Sequence, residues 1–433
     1  MNRKSITLVL ISLWLAALTG SSLYAADQRV YLTIGSAEAR KIKFAVPEFT
    51  DTSPAGGSIA PGFGLTQTLT KSLEFHGIIE TVPTLAGQNS VEALQRAGAD
   101  YGVLGRYTVI DEAITIQLRL YDLSQGAMLF GKEYQGALSQ AEEMIFTFTD
   151  AVINELTGVP GIASTQIAFV SQPANSRERE LFTTNILGSK LRQVTRHRSL
   201  VVSPRFTRDG NFLAYTSYHS GNPNLYITDL RQSKTTQALS RRRGMNLAPA
   251  WYQDDSRFVL TLSYLGNPDL FLLNRDGKVE GQLTKDAGIN VSPTISPDGT
   301  HMVFVSDRSG KPNLYLTELK TSKVRRLTFE GSENVEPDWS PTEDRLVFTC
   351  LRGGIYQLCT MNPFDEDSIQ QITKTRSNHE MPAFSPDGNQ IIFAKRDGAN
   401  HKISAILKNG AFERILFSFP GSQSYPRWAR KSY

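Results

Sequence analysis

Along the C-terminal part of the chain, apolar positions recur in a fixed order every 44 or 45 residues. A proline marks each recurrence, at Pro204, Pro249, Pro293, Pro337, Pro382 and Pro426. Two residues later stands a large apolar side chain: Phe206, Trp251, Ile295, Trp339, Phe384 or Trp428. Eleven residues after the first five prolines stands another: Tyr215, Leu260, Phe304, Phe348 or Phe393. Between them lies turn chemistry, clearest as SPDG at Ser296–Gly299 and Ser385–Gly388. There Pro presets φ, Asp bonds its own backbone and Gly accepts positive φ. Gly-x-Pro at Gly221, Gly266 and Gly310 marks a second turn, and Asn313–Thr317 after it alternates like a half-buried strand. A short fourth strand ends the unit, as RQVT from Arg192, GQLT from Gly281, RRLT from Arg325 and QQIT from Gln370. Four strands at this period predict the blades of a β-propeller. Thr165–Val202 supplies strands two to four of a unit and Pro426–Trp428 supplies only a first strand. Joined, they make a sixth blade, and the tail closes the ring and removes its open edges.

The first part of the chain carries other periods. Met1–Ala25 has a basic start at Arg3 and Lys4, an apolar run over Ile6–Leu18 and a small-residue exit. This pattern predicts a secretory signal, cleaved after Ala25, with too short an apolar run to span a membrane. No second long apolar run follows, so an exported chain without a membrane span is expected. Over Ala26–Leu156 strands are expected at Arg29–Ile34, Ile42–Phe49, Tyr101–Ile110, Ala113–Leu123 and Met128–Tyr134, with helices at Ile59–Phe75, Ser90–Ala97 and Ala141–Leu156. In the last helix Met144, Ile145, Phe148, Val152 and Leu156 recur at spacings of three and four. The expected organisation is a signal at 1–25, an α/β domain at 26–156, a linker at 157–163 and a propeller at 164–433. The fold class is thus a small α/β N-terminal domain followed by an all-β six-bladed β-propeller.

Charge changes the picture little: the net is +4 and 20% of the 433 residues are charged. That balance argues against a nucleic-acid binder, which shows a basic face with aromatics on it. An enzyme is the main competing class, as a hydrolase assisted by a propeller. It would need a G-x-S-x-G elbow on a hydrolase sheet, and no such string occurs. Gly62-Phe63-Gly64 has Gln67 where a dinucleotide fingerprint needs Gly. The six histidines show no zinc spacing, and His379-Glu380 lacks the second His of a zincin. No catalytic residue, cofactor or metal is expected. A sugar- or lipid-binding propeller is a third class.

The order of parts resembles the TolB family, the periplasmic component of the Tol–Pal system. The resemblance rests on Arg29–Ile34, Val46-Pro47 with Phe49, Leu156-Thr157-Gly158, Ile167–Val170, His197-Arg198-Ser199 ahead of Ser203-Pro204, and the blade repeats. It implies a non-enzymatic, monomeric protein with a role in outer-membrane invagination at division and in outer-membrane integrity. The implied partners are the peptidoglycan-associated lipoprotein Pal, bound by one propeller face, and the C-terminal domain of TolA, paired with the mature N-terminus. Other outer-membrane proteins are further candidates. The family's Pal-contacting positions fall just before the repeat prolines, here Met245, Asn246 and Ala248, then Val291 and Ser292. Where the family pattern carries a His and a Thr-Glu pair, this chain has Met245 and Val291-Ser292.

The same loops carry other candidates. Asn246, Asn290 and Asn334 each stand three residues before a proline. Either each Asn bonds its own backbone and tolerates the left-handed region, or its free amide also lines the channel mouth. Arg196-His197-Arg198 and Arg241-Arg242-Arg243 occupy consecutive loops, and Glu330, Glu333 and Glu336 lie about halfway round. Such polarity is either solvated loop charge or a field that orients a partner. His197, Arg241–Arg243, Asn290, Asn334 and Glu336 therefore join the candidate Pal face. For TolA the candidates are Asp27, Gln28, Arg29, Val30, Tyr31 and Leu32, either a first strand of their own domain or a segment free to add to a partner sheet. Cys350 and Cys359 are the only cysteines; they are either bridged, as export favours, or two buried thiols.

Overall fold

The computed structural model describes residues 40–54, 62–85, 87, 89–231, 236–252, 254–285 and 287–429. The signal segment, Arg29–Ile34 and the TolA candidates Asp27–Leu32 lie outside them.

The first layer is a sheet of β1 (Ile42–Ala45), β2 (Thr50–Asp51), β3 (Ile79–Val82), β4 (Tyr101–Ile110), β5 (Ala113–Asp122) and β6 (Ala127–Ala137). Its order is β3-β1-β4-β5-β6, with β2 also on β4; β1 runs parallel to β3 and β4, and β4, β5 and β6 are antiparallel. Three helices pack on it: α1 (Gly62–Phe75), α2 (Val91–Arg96) and α3 (Ala141–Thr157). Alternation along β5 sends Ile114, Ile116, Leu118 and Leu120 to one face, where they meet Leu65, Leu69 and Leu73 of α1 and Ile145, Phe148 and Val152 of α3. Leu94 of α2 packs with Ala45 and Leu123 in a separate cluster. Ser90 caps α2, its hydroxyl accepting the Ala93 N–H at 3.3 Å. Gly158 ends α3 in the left-handed region at φ 70°, where glycine carries no Cβ penalty. The four-residue β3 has no counterpart in the sequence expectations, being too short to show a period.

Six four-stranded sheets follow. Blades 1 to 5 begin with the inner strands Val201–Phe206, Asn246–Trp251, Asn290–Ile295, Asn334–Trp339 and His379–Phe384. Blade 6 takes its inner strand from the tail, Ser422–Trp428, which pairs antiparallel with Gln166–Gln172. The expected six-bladed closure is thereby observed. The second strand of each blade is apolar on both faces because both meet neighbouring blades. In His301–Ser306, Met302 and Phe304 pack toward blade 2 residues such as Val259 and Leu270, while Val303 and Val305 pack toward Trp339 and Phe348 of blade 4. This double burial explains why the repeat reads as near-continuous apolar runs.

Antiparallel order fixes two faces. Loops from one blade's outer strand to the next inner strand share a face with the turns between second and third strands. The SPDG turns and the turns between third and fourth strands share the other. The α/β layer sits on that second face, against blades 5 and 6. Phe75 stacks edge-on to Trp428 at 5.8 Å, and Gln390 Nε2 donates to the Phe75 carbonyl at 3.2 Å. Asn185 Nδ2 and Ser189 Oγ donate to the Glu142 carboxylate at 3.1 and 2.6 Å. The chain crossing between layers is clamped from both helices. Ile162 N–H donates to His76 Nε2 at 3.3 Å, and Ala163 N–H donates to Asp150 Oδ1 at 2.6 Å. No helix among the described residues is long and apolar enough to cross a membrane.

Candidate functional site

The face away from the α/β layer leaves the hub mouth and its loops open. Each inner strand contains a bulge there. The residue before every repeat proline is left-handed: Ser203, Ala248, Ser292, Glu336, Met381 and Tyr425 have φ between 51° and 59°. The ladder register shifts at these positions, for example between Val291 and Thr294. A non-glycine residue in this region is strained, and its recurrence in all six blades makes it a built ring around the hub. Ala248, Ser292 and Glu336 were expected at the site. Ser203, Met381 and Tyr425 were not, because the side chain varies and only the period of the following proline identifies the position.

Asn246, Asn290 and Asn334 begin their inner strands and are fully buried. None has positive φ. Their amides hold the loops. Asn246 Nδ2 donates to the carbonyls of Arg242, Pro223 and Gly244 at 2.7, 2.9 and 3.0 Å. Asn290 Nδ2 donates to Asp269 Oδ1 at 2.9 Å, and Asn334 Nδ2 donates to the Glu330 carbonyl at 2.9 Å. These three position the mouth. The exposed surface comes from their neighbours.

Met245 is exposed, its N–H held by Ser263 Oγ at 2.8 Å. Arg241 and Arg243 are exposed, whereas Arg242 is tied to Ser240 Oγ at 2.9 Å and to the Gly277 carbonyl at 3.2 Å. Val291 is half-buried against the core between blades 3 and 4. His197 is half-buried, its ring centroid 4.2 Å from that of His219, with Ser217 Oγ 2.7 Å from its Nδ1. Burial, then the His219 ring, lowers the His197 pKa, and Glu180 opposes this. Glu330 is exposed; Glu333 accepts the Tyr356 hydroxyl at 2.8 Å and pushes that phenol up to about 12. Glu336 lies in the inner strand, not in the loop, and accepts Thr349 Oγ1 and the Met381 N–H, both at 2.8 Å. Burial raises its pKa.

An apolar arc on this face was not anticipated. Tyr264, Leu265, Ile289 and Phe329 are exposed in loops and turns of the same face as Met245. The signal was large apolar residues at turn and loop positions, where polar ones are usual. Cys350 and Cys359 are joined in a disulfide across the second and third strands of blade 4, Cα–Cα 6.0 Å. They are diagonal, since Cys350 faces Gln357 and Cys359 faces Phe348. Among the described residues no group of three or more His, Cys, Asp or Glu is placed to hold a metal ion.

Residues 153–432 match the family model described as the TolB beta propeller domain. The chain is 52% identical over 428 residues to the Tol-Pal system protein TolB of Desulfotalea psychrophila, covering 98% of this chain and 97% of that one. It is 31% identical over 218 residues to the Tol-Pal system protein TolB of Desulfosudis oleivorans, covering 48% of this chain and 49% of that one. Its fold superposes on the crystal structure of TolB from Acinetobacter baumannii with a TM-score of 0.80 at 25% identity, covering 93% of this chain and all of that one.

Proposed function

This chain belongs to the TolB family, and from that premise we propose that it is the non-enzymatic, periplasmic partner-binding component of a Tol–Pal system. In this reading the open propeller face binds Pal, and Asp27–Leu32 of the mature N-terminus adds to the C-terminal domain of TolA. The role is in drawing in the outer membrane at division and maintaining that membrane.

The observation that carries the reading is the composition of the open face. Apolar Met245, Tyr264, Leu265, Ile289 and Phe329 are exposed on the same face as the arginines Arg241 and Arg243. Exposed apolar groups with aromatic and arginine neighbours are the makings of a protein interface. The left-handed ring at Ala248, Ser292 and Glu336 sits at its centre, and Asn246, Asn290 and Asn334 keep its loops in register. Arg241 and Arg243 add long-range steering toward an acidic partner surface.

The test is titration of the organism's own Pal into the mature chain. Met245→Glu should weaken binding at least tenfold, about 1.4 kcal/mol, with unchanged melting temperature. Arg241→Gln with Arg243→Gln should slow association at low salt and leave dissociation nearly unaltered. Unchanged affinity in Met245→Glu would remove the open face from the Pal site. A separate pull-down with residues 26–34 deleted tests the TolA assignment; retained TolA binding would contradict it.

A further inference from the structure

Beneath the left-handed ring, the residue after each repeat proline forms a second one: Arg205, Ala250, Thr294, Asp338, Ala383 and Arg427. Three of these bind adjacent blades together. Thr294 Oγ1 accepts the Trp339 N–H at 3.2 Å, and Asp338 Oδ2 accepts the Phe384 N–H at 2.9 Å. Arg427 donates through Nη1 to the Pro382 carbonyl at 3.0 Å, while its buried Nε has no partner. Among the described residues the Arg205 side chain donates only to the carbonyl of its own Pro204, at 3.3 Å. With six blades, blade 1 faces blade 4 across the hub. Arg205 and Asp338 therefore face each other from opposite walls; among the described residues no hydrogen bond or ion pair joins them, and they interact through charge across the hub.

Between the walls lies a cavity of about 110 Å³, at the hub end nearer the SPDG turns. Arg208 from the first turn of blade 1 also lines it, and its buried Nη1 has no hydrogen-bond partner among the described residues. Trp251 and Trp339 line it too, each with a buried, unpartnered indole N–H. Ala250 and Ala383 contribute only methyl groups. The lining thus holds three guanidinium groups on blades 6 and 1, and one carboxylate, Asp338, opposite. Buried polar groups are ordinarily paired, and buried charges almost always so. A polar cavity with a surplus of charged donors is suited to an acceptor-only guest, and planar guanidinium matches oxyanions best.

We propose that the hub cavity binds a small oxyanion, such as a sulfate, phosphate or carboxylate group, held by Arg205 and Arg208 and faced by Asp338. Asp338 repels the guest from the far wall, so it limits affinity. The site is at the opposite end of the hub from the open face and does not depend on the partner assignments.

The test uses calorimetric titration of the full mature chain with sodium sulfate and sodium phosphate, against sodium chloride at equal ionic strength. Saturable one-site binding is expected. Arg205→Met should weaken it about tenfold, as expected for loss of a charge-assisted contact. Asp338→Asn should tighten it about threefold or more by removing a like charge, an effect that a purely structural role would not give. Arg241→Gln, on the open face, should leave it unchanged. Melting in chloride reports whether each variant folds; where Arg205→Met does not, Arg205→Lys and Asp338→Asn carry the test. Absence of saturable binding would overturn the proposal. So would affinity that ignores Arg205 and Asp338, or binding lost in Arg241→Gln, which would mark an adventitious ion only.

Discussion

Trp428 is the side chain on which closure of the ring is most exposed to a single substitution. It ends the tail strand, is 7% exposed, donates its indole N–H to Thr165 Oγ1 at 2.6 Å and meets Phe75 edge-on at 5.8 Å. It therefore joins the tail, the start of the propeller and the α/β layer. Truncating a buried Trp to Ala costs about 3–5 kcal/mol. Within that, the hydrogen bond contributes about 1 kcal/mol net and the ring pair about 0.5–1.5 kcal/mol. Trp428→Ala should thus lose about 4 kcal/mol, a large fraction of an ordinary stability margin. Trp339 at the equivalent position of blade 4 is a control, because its buried indole N–H has no partner. Trp428→Phe should accordingly cost about 1 kcal/mol more than Trp339→Phe. Urea unfolding followed by far-UV circular dichroism reads both differences as shifts in midpoint at constant slope. A loss below about 1 kcal/mol in Trp428→Ala would refute the reasoning, since the tail would not then be holding the ring.

Three other perturbations have definite outcomes. His76 is buried with Nδ1 2.9 Å from the Ser72 carbonyl and Nε2 accepting Ile162 N–H, so the folded state requires the neutral ring. Burial lowers its pKa; Asp150 on α3 and Asp387 in a blade 5 turn oppose this, and Arg414 on the outer strand of blade 5 adds to it. With the folded pKa below the unfolded value of about 6.5, stability is full above that pH and falls as pH drops through it; His76→Asn should flatten the unfolding midpoint between about pH 7 and 5. Ser292 is left-handed at φ 54°, so Ser292→Val should destabilise by about 1–2 kcal/mol while Ser292→Gly is close to neutral, again by urea unfolding. The disulfide closes a separation of 9 residues; replacing both cysteines by Ala should cost about 2–3 kcal/mol, and thiol titration of the unreduced protein should find none free.

Much of the fold was legible because each blade repeats one local solution. The repeat proline, a turn after the first strand and a doubly buried second strand recur at a fixed interval, and the two end fragments complement each other. The helices were legible from spacing, as with Ile145, Phe148 and Val152. Ile79–Val82 was not, since four residues between a helix stop and a loop carry no period. The candidate face was legible as a set of loop positions rather than as a set of contacts. Asn246, Asn290 and Asn334 mark the starts of inner strands, but their burial beneath the loops depends on turns from the preceding blade. Arg205 and Asp338 lie 133 residues apart and become opposed only when the ring closes at six. The apolar arc of Leu265, Ile289 and Phe329 is spread over three separate loops and turns, so no window of sequence contains it.

Hydrogen exchange of the mature chain, with and without saturating Pal, tests the central claim most directly. Slowed exchange is expected in the open-face segments 241–248, 263–267 and 287–292, with the SPDG turns at 296–299 and 385–388 unchanged. Slowed exchange confined to those turns and the α/β layer, with the open-face loops unaffected, would contradict it.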